Sequence, residues 1–381
     1  YIDVSHIASG DLETGIQRVV KQVVSSLYTG KFVGFTPIAV ELKDGELYEA
    51  KPWLNEKGLL APCEAYQDIA PLVEFARGDI LLMLDSSWER YSEFHPVFDE
   101  ARLAQVPVIT AIYDILPVTL PPACFVRGGP QWFEGWLQNA VEASDALVCI
   151  SRATADEVIG YIEKNMPEKK DLKVGYWHLG SNLGESQAKG KTSERVQKVI
   201  QKPYLLVVGT IEPRKSHALI LDSMELLWKQ GIELNLCIAG KEGWKSEDLV
   251  ERLRSHPELG KRLFFIEKPD DKEIIDLYKN ASGLIFLSLG EGFGLPIVEA
   301  AHYGVPVICS DLPVFREVAG EYATYVKIDT AEKVSRDILK WWDKSKSKTL
   351  PDITNMPLLT WEESAKQLLK VVFENNWYWR K

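Results

Sequence analysis

No apolar run in this sequence reaches the roughly 18 to 20 residues of a membrane-spanning helix. The opening residues read as a strand and not as a signal peptide, so the chain is expected in the cytoplasm. Positive charge is in deficit: 44 Lys and Arg face 55 Asp and Glu, a net charge of −11. A phosphate backbone attracts a basic face, so nucleic acid is not an expected partner, and only local basic pockets stay open. The five cysteines are an odd number without metal-ligand spacing. Cys149, Cys237 and Cys309 fall inside apolar strands, and all five are expected as buried thiols. No Asp-x-Asp triplet occurs, nor any short-period repeat or low-complexity tract. Tyr1 stands where a methionine would open a complete chain, which suits a piece of something longer.

What is present is a soluble α/β pattern. The 381 residues, 46% hydrophobic and 26% charged, are long for one core and fit two domains. Short apolar strands alternate with amphipathic helices, which implies parallel sheets covered on both faces. Expected strands include Ile2 to Ser5, Asp79 to Leu84, Pro107 to Ile112, Ala146 to Ile150, Tyr204 to Val208, Leu234 to Ala239, Leu263 to Ile266, Gly283 to Leu287 and Val305 to Cys309. The polar segment Gly184 to Lys202 reads as the linker, placing one doubly wound domain in 1–190 and another in 200–360, with ligand crevices at the carboxyl ends of the strands.

Three stretches carry chemistry. In "DLETGIQRVVKQVVSSL", Thr14 and Gln17 have capping-box spacing, and Ile16, Val19, Val20, Val23, Val24 and Leu27 form a buried stripe. Gly15 then sits in the first turn, either for tight packing or for close approach of a phosphate or substrate. In "YLLVVGTIEPRKSHALILDSM", a strand ends at Gly209 and Arg214 and Lys215 precede a helix. Two cations at the positive end of a helix dipole suit a bound phosphate, although Arg214 could instead pair with Glu212. In "LSLGEGFGLPIVEAAHYGVPVICSD", Gly290, Gly292 and Gly294 crowd a turn before a helix that Pro296 opens. A dinucleotide fingerprint fails there, because Leu295 replaces the helix-packing glycine and Glu291 brings a carboxylate to the pyrophosphate position. Bare amides beside one acid suit neutral hydroxyls, which points to a sugar. Glu299 is expected in the first turn of that helix.

Further candidates lie in the N-terminal half. Asp114 follows a strand, either as a turn former before Pro117 or near the reacting atoms. In "LDSSWERYSEFH", Asp85, Trp88, Tyr91 and His95 emerge after a strand and could bind an acceptor sugar or simply fill the core. Trp132, Phe133 and Trp136 have helical spacing and read as core. Ser151 and Arg152 end another strand, as a helix cap or as contacts to phosphate or acceptor. The closing Trp377, Tyr378, Trp379, Arg380 and Lys381 could pack on the protein or lie at a membrane surface.

The motifs "TGIQRV", "GTIEPRK" and "EGFGLPIVEA", the last with Glu-x7-Glu spacing, resemble in order the retaining nucleotide-sugar glycosyltransferases of family 4. The resemblance spans essentially the whole chain and implies a GT-B fold, two Rossmann-like domains facing across a cleft, with the last helix, 361–381, crossing back to the N-terminal domain. It further implies that Arg214 and Lys215 grip the donor diphosphate, that Glu291, Gly292, Phe293, Gly294 and Leu295 hold the donor sugar, and that Glu299 bonds the ribose. Two departures stand out. Thr210 follows Gly209 where many members have Arg, and Tyr113 and Asp114 stand where many have His.

The style of "TGIQRVV" and "YDILP" is similar to bacterial mannosyl- and rhamnosyltransferases of surface-polysaccharide synthesis. The implied reaction moves a hexose, best matched by mannose from GDP-mannose, to a glycan or lipid-linked glycan at the inner face of the cytoplasmic membrane. No metal and no cofactor beyond the nucleotide-sugar co-substrate are expected, since cation-dependent transferases commonly present an Asp-x-Asp pair. A nucleotide-sugar epimerase and a non-catalytic glycan-binding module are the competing classes. The chain could also be one domain of a longer polysaccharide-synthesis protein.

Overall fold

The structure is a computed structural model that describes residues 1–10, 14–30, 32–50, 71–183 and 190–381. It divides into two compact units, one of Tyr1–Val118, Gln131–Gly180 and Leu359–Lys381, the other of Thr119–Pro130 and Ser181–Leu358.

The first unit is built on strands β1 (Ile2–Asp3), β2 (Ala39–Lys43), β3 (Glu46–Glu49), β4 (Leu81–Met83), β5 (Val108–Ile112), β6 (Ala146–Cys149) and β7 (Lys173–Tyr176). The second contains β8 (Tyr204–Val208), β9 (Asn235–Gly240), β10 (Leu263–Glu267), β11 (Gly283–Phe286), β12 (Val307–Ser310) and β13 (Thr324–Val326), and β14 (Trp379–Arg380) returns to the first sheet. The sheet orders are β14-β7-β6-β5-β4-β1-β2-β3 and β10-β9-β8-β11-β12-β13. All ladders are parallel except those of β3 and β14 at the edges. Central strands such as β5 and β9 are buried along their whole length, as expected when helices cover both faces.

Each sheet has one place where the chain reverses its direction of growth. In the first sheet β2 lies on one side of β1 and β4 on the other; in the second, β9 and β11 flank β8 in the same way. Loops leaving neighbouring strands diverge there, so a crevice opens outside their carboxyl ends.

Several expectations change. The strand expected over Ile2 to Ser5 ends at Asp3, because Asp3 accepts from the Ser5 backbone N–H and hydroxyl and turns the chain into the helix Ser5–Ser9. The capping box at Thr14 forms, but Ile16 is only half buried and Gln17 takes its inward place, donating to the Gly10 carbonyl. The expected linker contains a helix, Glu194–Val199, capped by Ser193 and held by Arg195, which pairs with Glu273; residues 184–189 lie outside the described residues. Segment 119–130, expected with the N-terminal domain, belongs to the second unit, where Trp244 Nε1 and Lys245 Nζ donate to the carbonyls of Cys124 and Ala123. Cys124, Cys149, Cys237 and Cys309 are buried and free; Cys63 lies outside the described residues.

The last helix, Trp361–Phe373, packs on the helix Gly15–Thr29 within the first unit. The closing aromatics contact the same unit, with Tyr378 left exposed. Trp377 covers Gly175, where an added Cβ would lie 3.1 Å from the indole. Tyr378 donates to Asp156 at 2.9 Å, and Trp379 pairs with Val174 across β14 and β7. Among the described residues no helix is long and apolar enough to cross a membrane.

Candidate functional site

The second unit gathers charge at its switch point. After β8 the chain bends at Gly209, whose φ of +138° disfavours a side chain, and an added Cβ there would sit 3.1 Å from Lys215 Nζ. The glycine therefore lets the ammonium lie against the strand end. A single 3₁₀ turn, Pro213–Lys215, leads through Ser216 in a left-handed conformation into the helix His217–Lys229. His217 is buried beneath both cations; burial first, then Lys215 and Arg214, lower its pKa to about 3. It is neutral at pH 7 and adds no third positive charge.

The loop after β11 meets this turn. Leu289 N donates to the Arg214 carbonyl at 2.8 Å, and Arg214 Nη1 donates to the Gly290 carbonyl at 2.9 Å. Glu291 Oε1 collects Arg214 Nη1 at 2.7 Å, Lys215 Nζ at 3.4 Å and the Ser288 hydroxyl at 2.9 Å. Burial alone would raise this carboxyl; Arg214, Lys215 and Ser288 outweigh it and hold it below the usual carboxylate range. Among the described residues its second oxygen, Oε2, has no hydrogen-bond partner. Arg214 also pairs with Glu212 at 2.7 Å, so the protein supplies its own counter-charges. Crowding of two cations at a helix start therefore does not by itself demand a phosphate.

Gly294 caps the helix Leu295–His302 with φ +104°, and an added Cβ would lie 2.9 Å from Phe315. Pro296 is thus the second helical residue, not the first, and Glu299 falls in the second turn instead of the first. Glu299 is buried, and its Oε2 accepts from the Tyr278 hydroxyl at 2.8 Å. Gly292 and Phe293 are buried and Leu295 half buried.

The other expected site residues separate. Gly15 is exposed with nothing within 4 Å of an added Cβ, so close packing does not explain it. Asp114 follows β5 half buried and accepts from Leu116 N at 3.1 Å; its charge, after partial desolvation, raises Glu157 to about 7. The expected acceptor residues differ in burial and do not form one exposed surface. Asp85 is buried and accepts from Ile7 N and Ser86 N, both at 2.7 Å. Tyr91 is a core residue whose hydroxyl meets Thr110 at 3.1 Å, and Trp88 packs edge-on against Phe133 and beside Trp136. His95 is exposed beside Phe98. Phe133 and Trp136 are core, whereas Trp132 is exposed, because it sits on the solvent side of the helix Gly129–Ala143. Ser151 is a buried N-cap that accepts from Thr154 N at 3.0 Å, and Arg152 is exposed beside it.

Ser288 belongs to the charged cluster and Tyr278 contacts Glu299 from the helix Asp271–Asn280, and neither was singled out in the sequence. Ser288 ends the apolar run of β11, a signal that was readable; Tyr278 lies 21 residues from Glu299 on another helix, and no local spacing connects them.

Two parallel α/β sheets, with charged loops at a switch point, define a GT-B architecture. Residues 189–351 match the family "Glycosyl transferases group 1", and the chain carries a domain of that family. It is 34% identical over 377 residues to the serotype-specific mannosyltransferase WbdA of Escherichia coli, covering 97% of this chain and 46% of the relative. The chain thus spans about half the length of that curated relative. It is 26% identical over 236 residues to the O-antigen chain mannosyltransferase B of Escherichia coli, covering 61% of this chain and 60% of the relative. Among solved structures, sucrose-phosphate synthase from Thermosynechococcus elongatus aligns over 98% of both chains with a TM-score of 0.62 at 15% identity, a likeness of fold alone.

Proposed function

We propose that this chain is a retaining glycosyltransferase that moves a hexose, best matched by mannose from GDP-mannose, to a growing glycan or lipid-linked oligosaccharide of a bacterial surface polysaccharide. The observation that carries the reading is the meeting of Lys215, Arg214 and Glu291 from the loops after β8 and β11. Lys215 is the residue for the donor diphosphate, a compact charge at a strand end beside the start of a helix. Arg214 holds the glycine loop in place through Glu212, Glu291 and the Gly290 carbonyl, and its charge also favours the leaving diphosphate. Glu291 Oε2 accepts from a sugar hydroxyl, and Glu299 with Tyr278 serves the ribose.

In the reaction the bond from the anomeric carbon to the diphosphate oxygen breaks, and a bond to the acceptor oxygen forms on the same face. The acceptor proton passes to the departing phosphate oxygen. Cationic side chains stabilise the charge that develops there, the main electrostatic task of the step. Asp114, at the end of β5, orients the acceptor side. The mannosyltransferase relatives support the donor sugar and the setting in surface-polysaccharide synthesis, and the 46% coverage of WbdA supports one transferase module within a longer protein; we propose that it works at the cytoplasmic side of the membrane.

Titration of GDP, UDP and dTDP into the chain tests the donor, because a ligand of the native state raises Tm by mass action. GDP should stabilise most; stabilisation by UDP or dTDP alone would reassign the base. Turnover should survive excess chelator, and loss of activity restored by magnesium or manganese would overturn the metal-free reading.

A further inference from the structure

We propose that His6 binds a hydroxyl of the acceptor, presented at the switch point of the first sheet by Ser86 and Asp85. The proposal rests on the transferase reading above for the identity of its ligand as a sugar.

The geometry is the counterpart of the donor cluster. In the second unit the charged residues follow β8 and β11, the two strands that flank the reversal; in the first unit those strands are β1 and β4. His6 follows β1, and Asp85 and Ser86 follow β4. His6 Nδ1 lies 3.1 Å from the Ser86 hydroxyl and 3.9 Å from Asp85 Oδ1. Asp85 has a fully buried side chain and is fixed by Ile7 N and Ser86 N, so it cannot reach a ligand itself. It acts through His6 as a positioning residue. The imidazole keeps about a third of its surface exposed (34%), and among the described residues Nε2 has no hydrogen-bond partner.

A ring anchored through one nitrogen is held in one orientation and presents the other nitrogen to a hydroxyl, which can either donate to it or accept from it. Among the described residues the polar side-chain partners of the imidazole are Ser86 and Asp85. Ser86 could be satisfied by any small acceptor, and the helix Ser5–Ser9 is already held by Asp3 and Asp85 through Ser5 and Ile7.

The two nitrogens can be tested separately. Asn reproduces the reach of Nδ1 and keeps the bond to Ser86; Gln reproduces the reach of Nε2. The intact chain and its His6→Ala, His6→Asn and His6→Gln variants would be titrated with an α-linked mannotriose as probe and, separately, with GDP. Acceptor binding through Nε2 predicts that Ala and Asn weaken mannotriose binding about tenfold or more, that Gln recovers part of it, and that GDP binding changes less than twofold throughout. With GDP-mannose present, KM for the mannotriose should rise in the same order. Recovery by Asn and not by Gln would assign His6 to the fold and overturn the proposal, as would unchanged mannotriose binding in all three variants or no mannotriose binding by the unaltered chain. Failure of the unaltered chain to bind GDP would instead strike the donor reading, while the mannotriose series would still decide the role of His6.

Discussion

At the scale of single residues, Arg214 and Lys215 look equivalent in sequence but differ in work. Arg214 joins Glu212, Glu291 and the Gly290 carbonyl, and its side chain is 15% exposed. Removing it leaves two nearly buried carboxylates without their shared partner, a loss of about 3 to 5 kcal/mol for a buried pair. Arg214→Ala should therefore lower stability sharply and lose nucleotide binding as a consequence. Lys215 touches Glu291 at a longer 3.4 Å and is not needed to hold the loop. Lys215→Ala should leave the urea midpoint close to that of the unaltered chain and still weaken GDP at least tenfold in a calorimetric titration; full GDP affinity would remove Lys215 from the donor site. The two glutamates divide in the same way. Glu291→Gln keeps the acceptor for Ser288 but frees the cations, so GDP should bind as well or better while turnover on the full donor falls strongly. Glu299→Gln should weaken bare GDP, by roughly ten- to a hundredfold if charge-assisted bonds to the ribose are lost. The reverse pattern would exchange their roles.

At the scale of elements, two glycines that look alike in sequence separate on geometry. Gly294 starts its helix at φ +104° with Phe315 2.9 Å from any added Cβ, so Gly294→Ala should cost about 1 to 3 kcal/mol. Gly15 has open space in the first turn of its helix, and Gly15→Ala should leave stability within about 1 kcal/mol. If Gly15→Ala also lowers turnover while the urea midpoint holds, a ligand approaches that turn; if turnover is unchanged, Gly15 is not at the site. The same contrast marks what the sequence could reveal. Apolar runs between turn residues located all nine expected strands, because parallel strands buried on both faces read as continuous hydrophobic stretches. The hairpin of β2 and β3 was not named, although Asp44-Gly45 between them is a turn signal, because charged Glu41 and Lys43 break the apolar run. Trp88 and Tyr91 were readable either as an acceptor surface or as core, and they pack in a core with Trp136 and Phe98, since spacing alone cannot tell an inward stripe from a lining one. Arg214, Lys215 and Glu291 were legible as a chemical set from residue type and glycine context, whereas their ion pairs with one another depend on two loops 76 residues apart.

At the scale of the whole chain, both sheets place ionisable groups where their strands change direction, but they balance charge differently. The second sheet pairs acids with cations. The first buries two carboxylates, Asp3 and Asp85, in one network with serines. Asp3 Oδ1 accepts from Ser5 N and Oγ, and Oδ2 accepts from Ser87 at 2.7 Å, while Ser5 Oγ accepts from Leu42 N at 2.8 Å. Burial first, then the neighbouring Asp85 charge, raises Asp3 to about 6; burial likewise raises Asp85. Between the unfolded value of 3.8 and about 6 the folded chain holds a proton that the unfolded chain releases. The pair's contribution to stability is therefore full below 3.8 and falls as pH rises through about 6. A rise of about two pH units in one pKa corresponds to at most about 3 kcal/mol. Asn at position 3 is neutral at every pH and can keep the bonds, its oxygen accepting from Ser5 and its amide donating to Ser87, whose hydroxyl rotates. Asp3→Asn should then gain local stability relative to the unaltered chain on going from pH 5 to pH 7.5. Amide exchange at Ile7 and Leu42, which donate to Asp85 and Ser5, reads this unit without requiring the whole chain to unfold in one step. Greater protection in the variant at pH 7.5 than at pH 5, each measured against the unaltered chain at the same pH, is the expected outcome. An equal difference at both would mean that Asp3 does not change protonation across this range.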